Sequence, residues 1–451
     1  MNRWLARFFG IAGLLVLACS LSCAGEGVEP SQVSPVMILP FVLMLGAIAV
    51  APFINRHWWE ANYPAVSVSL GLLTVLYYIF VLHNVPRLLA TLYEYVSFIA
   101  LIGSLFVVSG GIHFRMRGRS TPLANVALLG FGAIVSNLVG TTGASMLLIR
   151  PYIRVNRYRI RPYHVIFFIF LVSNIGGALT PIGDPPLFLG YLKGIPFFWV
   201  FDVAWQIWLL AVLVLLGVFA FIDFRSFRKL SPQLRERVEE TGEGPRFDGL
   251  SNLGFLLAIL VSVFIEHPLG LREVLMVGAA AGSYYTTPKR AHAKNEFNFA
   301  PIKEVAILFI GIFATMVPAL DWLTLHSQSL GIESVGQYYW GTGILSSFLD
   351  NAPTYLNFLT AAFGLFHLNL ENVHHMEQFL TMHWRHVQAI SIGAVFFGAC
   401  TYIGNGPNFM VKSIAEQSGV AMPSFFGYVV KYTFVFLVPL YAIIWLFFFR
   451  A

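Results

Sequence analysis

Apolar runs recur along the chain, separated by short polar stretches, and about ten of them approach the roughly 20 apolar residues that a bilayer crossing needs. The first three are Pro35–Ile54, Tyr63–Val81 and Leu92–Ile112. Within one later run the pattern fails. Ser173 to Pro186 holds three glycines, three prolines and Asp184, directly after Phe167–Val172 and before Leu187–Gly190. Proline lacks the backbone N–H and clashes with the preceding turn, so a helix breaks there. Unwound backbone at membrane depth is tolerated only where protein or a water-filled cavity supplies partners, an arrangement transporters use to hold ions and substrates.

The hydrophobic pattern also predicts hairpins. Basic stretches flank Leu123–Ile149: His113 to Arg119 on one side, and Arg150 to Arg161 on the other. Both belong on the cytoplasmic side by the positive-inside rule. The segment between is too short for two crossings, and a single crossing would place one arginine cluster outside. A re-entrant hairpin satisfies both, with its tip at Ser136, Asn137, Gly140 and Thr141. The broken helix Pro162–Lys193 follows, then Pro196–Ile222, then a polar linker, Asp223–Gly249.

The second half repeats this order. Leu250–Ile265 and Val274–Tyr285 are crossings, and Gly341–Phe366 is a second hairpin whose tip carries Ser346, Ser347, Asp350, Asn351, Pro353 and Thr354. Thr401-Tyr-Ile-Gly404-Asn405-Gly406-Pro407-Asn408 occupies the place of Thr180-Pro-Ile-Gly183-Asp184-Pro185-Pro186. Five crossings per half is an odd number, so the second half is predicted to lie upside down relative to the first. The expected fold is an all-α polytopic membrane protein. Its domains are a signal peptide over 1–24, a first repeat over 34–222, a linker over 223–249 and a second, inverted repeat over 250–450.

Composition sharpens the class. Of 451 residues, 57% are hydrophobic and 11% charged, well under the roughly 25% charged residues of soluble domains. The net charge of +6 sits in short loops and reads as a topology signal rather than a nucleic-acid footprint. Arg3 and Arg7, the apolar Phe8–Leu17 and then Ser22-Cys23-Ala24 read as a signal peptide, with an uncleaved first helix as the competing reading. Cys19, Cys23 and Cys400 have neither metal-ligand spacing nor a disulfide framework.

Ionisable residues inside a membrane are costly, by about 2.5 kcal/mol upward, and are functional candidates by default. Asp184 and Asp350 fall on the breaks, one per half, and either can ligate Na⁺ or carry a proton. Capping of a half-helix is the competing role for Asp184. Around them Asn137, Asn174, Asn351, Asn405 and Asn408 supply amides, and Ser136, Thr141, Ser173, Thr180, Ser346, Thr354 and Thr401 supply hydroxyls. Glu94 and Glu304 read as charges at the starts of helices, with a proton-relay role as the alternative, Lys193 and Lys412 as snorkelling cations, and the histidines from His367 to His386 as a solvated loop. No cofactor is expected beyond transported Na⁺ and H⁺, and no resident metal.

Ser173-Asn174-Ile-Gly176-Gly177-Ala-Leu-Thr180-Pro181-Ile-Gly183-Asp184 resembles the broken helix of NhaD-type sodium/proton antiporters, and Asp350-Asn351-Ala-Pro353 resembles their second-half hairpin. The wider group is the ion transporter superfamily, which includes arsenite exporters and citrate and dicarboxylate carriers. The resemblance runs from about Pro35 to the C-terminus. It implies that Asn174, Asp184, Asp350 and Asn351 lie in the ion-binding region and that the protein forms a homodimer. Gly404-Asn405-Gly406-Pro407-Asn408 is closer to the Gly-x-x-Pro-Asn element of arsenite and dicarboxylate carriers, and Pro185-Pro186 departs from the NhaD pattern. The reading is a multi-pass secondary transporter of a bacterial inner membrane that exchanges Na⁺ for H⁺. The alternative is Na⁺- or H⁺-coupled transport of citrate or another small carboxylate. Channel and intramembrane-enzyme readings find no support in the residue spacing.

Overall fold

The computed structural model describes residues 29–115, 120–239, 246–265, 267–295 and 297–450, so the expected signal peptide lies outside the described residues. The fold is helical apart from one short antiparallel pairing of His113–Arg115 with Arg246–Asp248, which ties the first basic loop to the end of the linker. Among the described residues, seven helices are long and apolar enough to cross a membrane. Their outer faces show Val42, Val68, Leu72, Leu213 and Phe434, all exposed. So much bare apolar surface suits a lipid surround.

Two crossings begin earlier than the apolar pattern predicts, because asparagines cap them. Asn55 accepts from the backbone N–H of Trp58 and starts Arg56–Phe80; Asn84 accepts from that of Arg87 and starts Val85–Gly110. The early starts draw Arg87 and Glu94 into a helix instead of leaving them at an interface. Val85–Gly110 and Ala300–His326 form the centre, with most of their apolar faces buried. They join through stacked Phe98 and Phe309, centroids 4.8 Å apart. Arg56–Phe80 crosses Ala300–His326 at small residues, where a Cβ on Gly311 would stand 2.9 Å from Ser67. Close backbone approach at small residues is how helices associate in lipid.

The segment Pro122–Val155 counts as one span by length, yet it folds back on itself. At Gly140 the backbone turns to φ 76, ψ 155, a conformation that favours glycine. Gly132 then lies against Leu148. At the base, Asn125 and Asn156 exchange hydrogen bonds of 2.9 and 2.8 Å. The hairpin is real, and both its ends lie together. The second hairpin pairs Val335–Phe348 with Asn351–Leu365, placing Gly341 beside Phe358.

Three expectations are corrected. Asp223 does not open a solvated linker: the helix Trp199–Arg228 runs past it. Its carboxylate is fully buried and held by both terminal nitrogens of Arg159 at 2.6 and 2.7 Å. Asn125 donates to the same carboxylate at 3.1 Å, so the knot locks the base of the first hairpin. The histidine-rich stretch is a solvated loop only in part: His367 and His374 are exposed. It contains the helix Val373–Met382 and enters Trp384–Phe397, where His386 is buried among aromatic rings. No group of metal-ligating residues occurs among the described residues. Lys193, finally, does not snorkel; it is buried and ion-paired, with Glu94 as one partner.

Candidate functional site

The first broken helix comprises Pro162–Leu171 and Pro185–Leu192; the second comprises Trp384–Phe397 and Gly406–Gln417. Between each pair of halves the chain is unwound, and the hairpins staple the unwound stretches. Asn137 donates to the Gly176 carbonyl at 2.6 Å and accepts from the Leu179 N–H at 2.9 Å. Thr180 donates to the Asn137 carbonyl at 2.6 Å, and in the second half Thr401 donates to the Ser347 carbonyl at 2.5 Å. Ser136 donates to the carbonyl of Val172, and Ser346 to that of Ala394. A Cβ on Gly183 would stand 2.1 Å from the Gly177 carbonyl oxygen; one on Gly404 would stand 2.7 Å from that of Gly398. The same contacts made by the same chain positions in both halves show a repeated local structure.

The four discontinuities meet at Asp184, which is 1% exposed. One carboxylate oxygen accepts from the Thr141 hydroxyl at 2.7 Å and the Asn405 amide at 3.0 Å; the other accepts from the Asn351 amide at 2.5 Å. Thr141 comes from the first hairpin tip, Asn351 from the second, and Asn405 from the second broken helix. All three donors are neutral, and no lysine or arginine bonds to Asp184 among the described residues. Asp184 makes no capping bond to its own helix, which sets the capping role aside. Asp350 does cap, accepting from the Ala352 N–H at 3.1 Å.

A second layer surrounds this centre. Asn174 donates to the Asn408 amide oxygen at 2.7 Å, and Asn405 to the Ser173 carbonyl at 3.2 Å. Asn408 in turn donates to the carbonyls of Gly398 and Thr401. The Asn174 amide oxygen is buried and has no hydrogen-bond partner among the described residues. Thus Asp184, Thr141, Asn351, Asn405, Asn174 and Asn408 are brought together. Ser136, Asn137, Thr180, Ser346 and Thr401 act as staples, Ser173 pairs its hydroxyl with Ser145 at 2.8 Å, and Thr354 donates to the Asp350 carbonyl.

Beside Asp184 lies a cleft of about 30 Å³ lined by Gly140, Thr141, Thr142, Gly143 and Pro185. Its far wall is Leu101, Ile102, Leu105 and Phe106 of Val85–Gly110. Sequence reasoning missed that wall, because nothing in an apolar run marks the face turned to a site. By volume the cleft admits about one or two waters, room for a dehydrated cation. Oxygen ligands from a carboxylate, a hydroxyl and amides are what a hard cation takes.

A model of the family described as "Putative citrate transport" matches residues 30–449 of the chain. An uncharacterized transporter of Mycobacterium bovis and one of Mycobacterium tuberculosis are each 26% identical over 323 residues, covering 67% of this chain and 72% of theirs.

Proposed function

Since the chain belongs to that transporter family, we propose that it is a cation-coupled secondary transporter of citrate or a chemically similar small carboxylate. The observation that carries this reading is the Asp184 centre. A buried carboxylate met by three neutral donors is one charge short of neutrality, and a cation balances it. The bound cation then presents positive charge to an anionic substrate in a site without a basic side chain. Amide groups and the start of the helix Gly406–Gln417 add donors for the substrate's carboxylates; the start of Pro185–Leu192 adds none, because Pro185 and Pro186 lack an N–H. The cleft is too small for citrate as it stands, so substrate entry requires the hairpins and broken helices to part from the Val85–Gly110 wall.

The two halves are taken to lie inverted in the membrane, working by alternating access. Sodium/proton exchange without an anion is the second reading, favoured by the size of the cleft; there Asp184 or Asp350 takes the proton as Na⁺ leaves. Purified protein in proteoliposomes separates the two. Uptake of labelled citrate that requires an added cation or an acid-outside gradient supports carboxylate transport. Proton release on adding Na⁺ alone, with no citrate uptake, supports antiport and overturns the first reading.

A further inference from the structure

A second buried charge cluster lies away from the Asp184 centre, at the other end of two helices that begin there. Lys193, 3% exposed at its side chain, donates to Glu94 at 2.5 Å and to Glu371 at 2.6 Å. Arg87 pairs with Glu371 at 2.8 Å and with Asp321 at 3.0 Å. Tyr78 and the Ser31 N–H complete the Asp321 carboxylate at 2.8 and 3.2 Å. Arg272 and Glu273 meet the Glu94 helix at Ser97, pair with each other at 2.9 Å and add no net charge. Among the described residues the cluster therefore sets three carboxylates, Glu94, Asp321 and Glu371, against two cations.

An uncompensated charge in a buried ion-pair network is costly, and a carboxylate in that position takes a proton. The geometry says which one. Glu371 makes two ion pairs and Asp321 accepts from three donors, whereas among the described residues Glu94 has Lys193 alone. Glu94 is 14% and Glu371 17% exposed, so water reaches both and the number of ion-pair partners decides between them. A small cavity of about 10 Å³ lies between Arg87, Asp321, Thr360 and Glu371. The Thr360 hydroxyl is buried there and has no hydrogen-bond partner among the described residues. That space holds about one water, which would bond Thr360 to the cluster.

Both connecting helices are rigid links. Asp184 is the residue before Pro185–Leu192 and Lys193 the residue after it, about 12 Å of helix at 1.5 Å per residue. Asn351–Leu365 begins with the Asn351 donor to Asp184, carries Thr360, and leads into the loop that holds Glu371.

We propose that this cluster is the proton-coupling site of the transporter, with Glu94 the proton-carrying group. On protonation a Glu94 oxygen gains one hydrogen and loses its charge; Lys193 remains an ammonium and keeps Glu371 as its partner. The end of Pro185–Leu192 is then held by one ion pair instead of two, and the helix that begins at Asp184 is freer to move. The inference rests on the transport reading and deepens it, by placing the coupling proton apart from the cation-binding centre.

The first test needs no substrate. Infrared spectra of the purified full-length protein are recorded in the carboxylic-acid carbonyl region from acid to alkaline pH. A protonated-carboxyl band is expected that Glu94→Gln removes and Asp184→Asn leaves in place. Identical wild-type and Glu94→Gln spectra overturn the proposal. If Glu94→Gln fails to give a monodisperse protein, Glu94→Asp is used; its band should move in pH, and an unmoved band overturns the proposal. In proteoliposomes, the stimulation of citrate uptake by a pH gradient should vanish in Glu94→Gln, and a wild-type stimulation refutes it. Wild-type protein that moves neither citrate nor Na⁺ defeats the transport reading and leaves the infrared result to decide the proton site.

Discussion

Exchanging Asp184 and Asn351 tests whether the centre is built as donors arranged around one charge. In the single variant Asp184→Asn, the side-chain oxygen still accepts from Thr141 and Asn405, but its amide faces the Asn351 amide, donor against donor. Two bonds fall from charged to neutral strength, about 1 kcal/mol each, and the third survives only where Asn351 turns its amide over to accept, for a total of about 2–5 kcal/mol. Removing a buried charge relieves part of that, so the single variant alone is ambiguous. Asn351→Asp alone sets two carboxylates at the 2.5 Å contact, which is destabilising unless they share a proton. In the double variant Asp184→Asn/Asn351→Asp, the amide now at position 184 donates to the carboxylate now at position 351. Its oxygen accepts from Thr141 and Asn405, so all three bonds return. One buried charge remains in nearly the same place, and its burial cost cancels against wild type. Thermal stability of the detergent-solubilised protein, read by loss of the monodisperse size-exclusion peak, should fall in both single variants and recover in the double. A double variant no more stable than the better single variant refutes the reasoning. Adding the coupling cation should stabilise wild type by mass action and leave Asp184→Asn unmoved.

Other outcomes follow from the packing. Gly183→Ala places a methyl 2.1 Å from the Gly177 carbonyl oxygen and disturbs the carbonyl that accepts from the Thr141 N–H at 2.8 Å. Transport should be lost, with a stability cost of about 1–3 kcal/mol or more; normal transport in proteoliposomes would mean the unwound stretch is slack. Asp223→Asn leaves Arg159 buried without its bidentate partner and should cost about 3–5 kcal/mol, seen as a lower midpoint in the same thermal assay. For topology, Arg157→Cys and Glu333→Cys, each in a background freed of Cys19, Cys23 and Cys400, sit on exposed residues near the bases of the two hairpins. The inverted arrangement expects a membrane-impermeant thiol reagent to reach them from opposite sides, and labelling from one side would end it.

What could be read from the chain and what could not divide along a physical line. Breaks were legible because glycine and proline act on their own backbone: Gly176, Gly177, Gly183, Pro181 and Pro185 unwind the chain wherever it goes. The first hairpin was legible for a similar reason, since arginines on both flanks fix two ends to one side, and the structure brings Asn125 to Asn156. Which polar residues face the centre was not legible, because an unwound segment has no period from which to assign a face. Thus Thr180 and Thr141 looked alike, yet one staples backbone and the other meets Asp184. Partners far apart in sequence were hidden as well. Lys193 and Glu94 are separated by 99 positions, and each alone resembled an interfacial charge. A signal was present all the same: Asp321 stands in the apolar run Ala300–His326, and Arg87 follows Pro86 at the head of another. The rule that singled out Asp184 and Asp350, that a charge within an apolar run must be matched from elsewhere, applies to both. Applied to every such residue, it leads from Asp321 to Arg87 to Glu371 to Lys193, and so to the one carboxylate in that chain, Glu94, that shares its only cation.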